Sequence, residues 1–119
     1  MIASYQKYCL QFKRPSGTSR GVLTEKETWF IILEENGKKG IGECGLLRGL
    51  SIDDREDYEE KLEWTCKNIH LGKDVLWENL IEFPSIQFGI EMAFESLASE
   101  NPFELFPSDF TKNQKSIPI

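Results

Sequence analysis

Trp29-Phe30-Ile31-Ile32-Leu33-Glu34-Glu35-Asn36-Gly37-Lys38-Lys39-Gly40-Ile41-Gly42-Glu43-Cys44 holds two strands and the turn that joins them. Between about Glu27 and Glu34, the run Trp29 to Leu33 places aromatic and branched aliphatic residues on both faces, as in a central strand covered above and below. Asn36-Gly37 then forms a two-residue hairpin turn of type I′, which needs positive φ at both positions. The return strand runs from Lys39 to Cys44. Its Gly40 and Gly42 carry nothing to pack, which implies that another backbone or side chain comes close there. Upstream, Tyr8, Leu10 and Phe12 alternate with Cys9, Gln11 and Lys13, a period of two with one apolar and one polar face. Pro15, Gly17 and Gly21 mark a loop between that strand and the central one. The expectation is a three-stranded antiparallel meander.

After the meander the period changes. Ser51 is placed to cap a helix whose first turn holds Asp53 and Asp54, at the positive end of the helix dipole. Tyr58, Leu62, Cys66 and Ile69 line one face of that helix, and Gly72 ends it. Seven acids and two bases lie between Asp53 and Glu63, a charge run that reads as a solvated face and not as a metal site. A short second helix is expected over 74–80, and Pro84-Ser85 opens a third. There Ile86, Ile90, Ala93, Phe94 and Leu97 form an apolar stripe, widened by Phe88 and Met92, that should pack against the sheet. Asn101-Pro102 closes it. Phe103, Phe106 and Phe110 follow, and Ser116-Ile117-Pro118-Ile119 reads as the opening of a strand with nothing to pair with.

The whole is one domain of 119 residues, α+β, with a formal net charge of −6. That sign opposes nucleic-acid phosphates and anionic lipid, so neither is an expected partner. No apolar run approaches a membrane span and no basic-then-apolar leader opens the chain, so the expected location is the cytoplasm. Cys9, Cys44 and Cys66 are odd in number and lack a Cys-x-x-Cys pair, which fits neither a disulfide framework nor a zinc site. They read as buried or half-buried thiols.

Catalytic signals are sparse. His70 is the sole histidine, and its place near a helix end suits capping or packing better than the base of a triad. There is no Gly-x-Gly-x-x-Gly and no Walker loop to cradle phosphates. Glu43 stands apart from the acidic helix, at the end of the third strand, where a hydrogen-bonded carboxylate is the simplest reading. Composition and periodicity thus describe a small domain without a self-contained active site.

The stretch Tyr8-Cys9-Leu10-Gln11-Phe12-Lys13-Arg14-Pro15-Ser16-Gly17-Thr18-Ser19-Arg20-Gly21 resembles the first strand and mobile loop of the o-succinylbenzoate synthases of the enolase superfamily. Gly40-Ile41-Gly42-Glu43-Cys44 is similar to the third strand of that family, and Phe83 to Ala93 to its long helix before the barrel. Ser116-Ile117-Pro118-Ile119 resembles the first barrel strand, cut after its opening residues. The resemblance runs in order along essentially the whole chain, and Pro-x-Gly-Thr-Ser-Arg-Gly is its most specific part.

The resemblance implies an N-terminal capping domain over residues 1–115, with 116–119 beginning a (β/α) barrel that supplies the catalytic lysines and the acids that hold Mg²⁺. It implies a lyase that forms o-succinylbenzoate on the route to menaquinone, with none of the catalytic or metal-binding residues in this chain. Two lid loops would close over a small carboxylate substrate. The first carries Thr18, Ser19, Arg20 and Gly21, with Arg20 the natural partner of a carboxylate; the second runs from Gly45 to Leu50, with Leu46 and Leu47 as apolar wall. Relatives often carry Ala-Pro where this chain has Gly45-Leu46, a departure expected to loosen the second loop. Other superfamily reactions, dipeptide epimerisation or muconate-type cycloisomerisation, share the fold. An independent acidic binding module is the non-enzymatic alternative.

Overall fold

A computed structural model describes residues 1–18, 21–113 and 116. The chain runs β1 (Ile2–Thr18), β2 (Gly21–Glu35), β3 (Lys38–Gly45), α1 (Tyr58–Lys67), a single 3₁₀ turn (Ile69–Leu71), α2 (Lys73–Asn79) and α3 (Pro84–Ala98). The sheet order is β1-β2-β3, antiparallel throughout, so the Trp29 strand is central as expected. Asn36 and Gly37 take φ of 52° and 79°, the conformation that the Asn-Gly turn requires.

The helices pack on one face of the sheet. Trp29, Ile31 and Leu33 of β2 point into that layer and are fully buried with Leu62 of α1, Leu76 of α2 and Ile86, Ile90 and Ala93 of α3. Each such aliphatic side chain contributes about 1.5–3 kcal/mol on burial. Gly40 and Gly42 explain how closely α3 approaches. A Cβ on Gly40 would stand 2.6 Å from the Leu97 nitrogen, and one on Gly42 would be driven into the Gly89 carbonyl oxygen. The Ile41 amide of β3 donates to Ser96 Oγ of α3 at 2.9 Å, which satisfies an edge-strand donor.

Several expectations need correction. β1 does not stop at Pro15. Gln11 faces Glu25 and Ser16 faces Leu23, so residues 12–15 stand against Thr24 alone in an irregular bulge, and pairing resumes as far as Thr18 opposite Gly21. The Pro-Gly segment is therefore the outer arm of a long hairpin. Tyr8 and Leu10 share one face as expected, but they point away from the helices, and it is Ala3 and Tyr5 that meet the core; Phe12 falls in the bulge. On that far face Phe30 and Ile32 of β2 are only half-buried, so the central strand is fully covered on one side alone.

Helix α1 begins at Tyr58, well after Ser51. The three residues expected to start it are engaged elsewhere. Ser51 Oγ accepts the Leu47 amide at 2.9 Å, and Asp54 bonds Arg48 and Gly49. Asp53, only 2% exposed, accepts the Ser85 amide at 2.9 Å and its hydroxyl at 2.5 Å, holding the first turn of α3 from outside. Since the Ser85 hydroxyl is committed to Asp53, Tyr58 Oη donates to Ser85 Oγ at 2.6 Å. The acidic run is thus only partly a solvated face: Asp53 is structural, and Glu59 accepts the Trp29 indole N–H at 3.0 Å. His70 is exposed on the 3₁₀ turn. Cys44 is buried and Cys66 half-buried, whereas Cys9, expected inside, is exposed on the outer strand. The strand expected over 116–119 lies, apart from Ser116, outside the described residues.

Candidate functional site

The first residues of β2 and the loop after β3 meet at one cleft. β3 ends at Gly45, opposite Thr28, so the first residues of β2, Gly21 to Glu27, have β1 on one side and no strand on the other. The chain leaving β3 turns along that open edge. Between Val22–Glu27 and Leu46–Arg48 lies a cavity of about 260 Å³.

The second wall is tied down. Arg48 reaches Glu27 of β2 through Nε at 2.5 Å and Asp54 through Nη1 at 2.6 Å. The other Asp54 oxygen accepts the Gly49 amide at 2.8 Å, and Lys7 Nζ reaches Glu27 at 3.0 Å. Arg48 and Lys7 both lie near the Trp29 ring, at 5.6 and 5.4 Å from its centroid. Each ion pair alone is worth little at this exposure, but together with the backbone bonds they fix one loop geometry. The Lys7 and Arg48 bonds hold the Glu27 carboxyl below its ordinary range. The Gly49 amide and then Arg48 do the same for Asp54, and Asp54 and Glu27 in turn raise Arg48. The loosening expected from Gly45 is therefore opposed by the residues that follow it.

Among the sequence-predicted positions, Leu46 and Leu47 line the cleft, although Leu46 is 1% exposed and belongs equally to the core. Thr18 and Gly21 sit at the hairpin tip, where the Thr18 hydroxyl donates to the Gly21 carbonyl at 2.9 Å; neither lines the cavity. Ser19 and Arg20 lie outside the described residues. Lys26 was not singled out from the sequence. Its amine lies 3.2 Å from where a Cβ on Gly45 would stand, and it has no ion-pair partner among the described residues. Its signal was available in the alternation Thr24-Glu25-Lys26-Glu27. The Glu27–Arg48–Asp54 network had none, because its members are joined only by folding.

Glu25, Lys26, Glu27 and Arg48 all line this cleft beside Leu46 and Leu47, and with Arg48 committed to Glu27 and Asp54 the lining cation left for a ligand is Lys26. Among the described residues no group of three His, Cys, Asp or Glu could hold a metal ion, so the Mg²⁺ implied above finds no ligand set in them. No helix there is long and apolar enough to cross a membrane.

A meander backed by helices on one face, with its first hairpin and the loop after its third strand forming one cleft, is the architecture of an enolase-type N-terminal capping domain. The chain belongs to the family described as MenC, N-terminal domain, which matches residues 3–97. It is 33% identical, along its whole length, to an o-succinylbenzoate synthase of Desulfotalea psychrophila, of which it spans 41%. The solved structure of MenC from Desulfotalea psychrophila superposes with a TM-score of 0.76 at 27% identity, covering all of this chain and 40% of that one. The o-succinylbenzoate synthase of Thermosynechococcus elongatus, solved with Mg in its active site, shares the fold at 22% identity and a TM-score of 0.65 over 84% of this chain and 31% of its own. So does a mandelate racemase/muconate lactonizing protein of Herpetosiphon aurantiacus, at 15% identity and 0.63, over 82% and 30%. The chain thus spans about two-fifths of the length of the curated relative that it matches.

Proposed function

We propose that this chain is the capping and substrate-specificity portion of an o-succinylbenzoate synthase-like lyase and turns over nothing by itself. Residues 1–115 form the cap, and 116–119 begin the first strand of a barrel. The observation that carries this reading is the cleft between Val22–Glu27 and Leu46–Arg48, on a chain that aligns end to end with two-fifths of such a synthase. Thr18, Ser19, Arg20 and Gly21 cover the substrate, and Leu46 and Leu47 form its apolar wall. Arg20 and Lys26 hold the carboxylates of a small anionic substrate, and closure excludes water from the proton transfer. Mg²⁺, when bound by the barrel's own acids, supplies the positive charge that stabilises an ene-diolate. The whole works in the cytoplasm.

The test is a fusion of this chain to the remaining portion of the Desulfotalea psychrophila synthase, assayed for dehydration to o-succinylbenzoate and on dipeptide and muconate-type substrates. Dehydration by the fusion, none by the chain alone, and a loss of about tenfold or more in kcat/KM for Arg20→Ala and Lys26→Ala are expected. Turnover by the isolated chain, or a cooperatively folded fusion that prefers another substrate, overturns the reading.

A further inference from the structure

Gly45 ends β3 opposite Thr28, and the space its missing side chain leaves is bordered by the Lys26 amine. Lys26 belongs to the part of β2 that has β1 on one side and no strand on the other. Leu10 is its cross-strand partner, so its aliphatic stem starts beside an apolar neighbour and its head leans toward the open end of β3. A Cβ on Gly45 would stand 3.2 Å from Lys26 Nζ, 3.7 Å from its Cε and 4.0 Å from Thr28 Oγ1. Ordinary contact begins near 3.4 Å, so alanine would already crowd the amine and a branched side chain would displace it. The backbone itself does not call for glycine, because the φ of Gly45 lies outside the left-handed region.

The amine so placed is uncompensated. Glu25 and Glu27 alternate onto the opposite face of β2, where Glu25 accepts Gln11 Nε2 at 3.2 Å and Glu27 is held by Lys7 and Arg48. Glu43 shares the face of Lys26 but is held by the Thr28 hydroxyl at 2.7 Å, and no acid among the described residues forms an ion pair with Lys26. A half-buried cation that lines a cleft and lacks a partner suits one carboxylate from outside, and its reach depends on what stands beneath it.

We propose that Gly45 is a positioning residue for substrate recognition: by leaving its space to Lys26, it sets how far the amine, and the carboxylate held on it, stand from Leu46 and Leu47. The proposal rests on the reading of the cleft above and adds the residue that fixes its geometry. A side chain at position 45 moves the cation without removing it.

The experiment is a double-mutant cycle in the same fusion, with KM and kcat for dehydration measured separately. Gly45→Val should raise KM about tenfold and Gly45→Ala about twofold, with kcat changed less than KM and the thermal midpoint unchanged or raised. Lys26→Met, which keeps the stem and removes the charge, should raise KM about tenfold, and adding Gly45→Val to it should cost nothing more. Labelling with an amine reagent, read by mass spectrometry, does not depend on turnover: Lys26 should react faster in Gly45→Val than in the parent, and the other lysines at the same rate. Losses that multiply in the double variant, or a Lys26 labelling rate unchanged by Gly45→Val, overturn the proposal and leave the capping reading standing. Glu43→Gln should leave KM within about twofold; a rise equal to that of Lys26→Met would make Glu43, and not the substrate, the partner of the amine, and would also overturn it. A parent fusion that fails to dehydrate its substrate counts against the capping reading, and with it against any role of Gly45 in recognition, even where the labelling shift is seen.

Discussion

Gly42→Ala should unseat α3. The Cβ would collide with the Gly89 carbonyl oxygen and stand 2.8 Å from both the Gly89 carbonyl carbon and the Ala93 nitrogen, whereas ordinary contact begins near 3.4 Å. Those atoms are all helix backbone, so no rotamer change relieves the overlap and the whole helix must move off the sheet. Overpacking in a core usually costs about 1–3 kcal/mol, and here the upper end applies, because displacing α3 also loosens Ile86, Ile90 and Ala93. In a domain this size about 3 kcal/mol corresponds to a fall of roughly 15 °C in midpoint. The assay is far-UV circular dichroism on heating, with a urea titration to check that the slope is unchanged. Gly17→Ala is the control, since nothing lies within 4 Å of its Cβ, and it should be neutral to slightly stabilising. A Gly42→Ala midpoint within about 3 °C of the parent refutes the close-approach argument.

Asp53→Ala should cost about 1–3 kcal/mol in urea unfolding, by leaving the Ser85 amide and hydroxyl without their acceptor, while Glu56→Ala nearby should change little. The Glu27 and Asp54 carboxyls lie below their ordinary values of 4.5 and 3.8, so the stability they add is present above those values and is lost as pH falls through the depressed ones. Amide exchange at Gly49, read by NMR, should therefore show protection falling more steeply below about pH 4 than in Arg48→Met, and equal slopes in the two proteins would contradict the latch. Burial pushes the Cys66 thiol up to about 11 and the Cys44 thiol higher still; desolvation and the Glu25 carboxylate raise Cys9 as well, but Cys9 alone is exposed to a reagent. One thiol per native chain should thus react with a maleimide at pH 8 before the others, and Cys9→Ser should remove that fast phase.

The meander was legible because its signals are local. Asn36-Gly37 needs only its own two residues to set a turn, and the uninterrupted Trp29–Leu33 run specifies a central strand by composition. Gly40 and Gly42 announced a close neighbour without naming it, and α3 supplies it. The start of α1 was misplaced for the opposite reason. Ser51, Asp53 and Asp54 have the right chemistry to cap a helix, yet tertiary donors at Leu47, Ser85, Arg48 and Gly49 compete for the same oxygens and win. The second wall of the cleft was hidden similarly. Glu27, Arg48 and Asp54 look like surface charges until β2 and the loop after β3 bring them together.

The alternation Tyr8-Leu10-Phe12 raises a different point. A period of two establishes that one side of a strand is apolar, but it does not say which side faces the protein's own core. Here the polar-looking set, through Ala3 and Tyr5, turns toward the helices, and Tyr8 is left 54% exposed on the same face as Phe30 and Glu43. An apolar pattern maintained where this chain has nothing to pack against it is a pattern suited to something else. The face is settled instead by what the helices bring to Trp29, Ile31 and Leu33, since only the side of β1 that carries Ala3 and Tyr5 shares that layer.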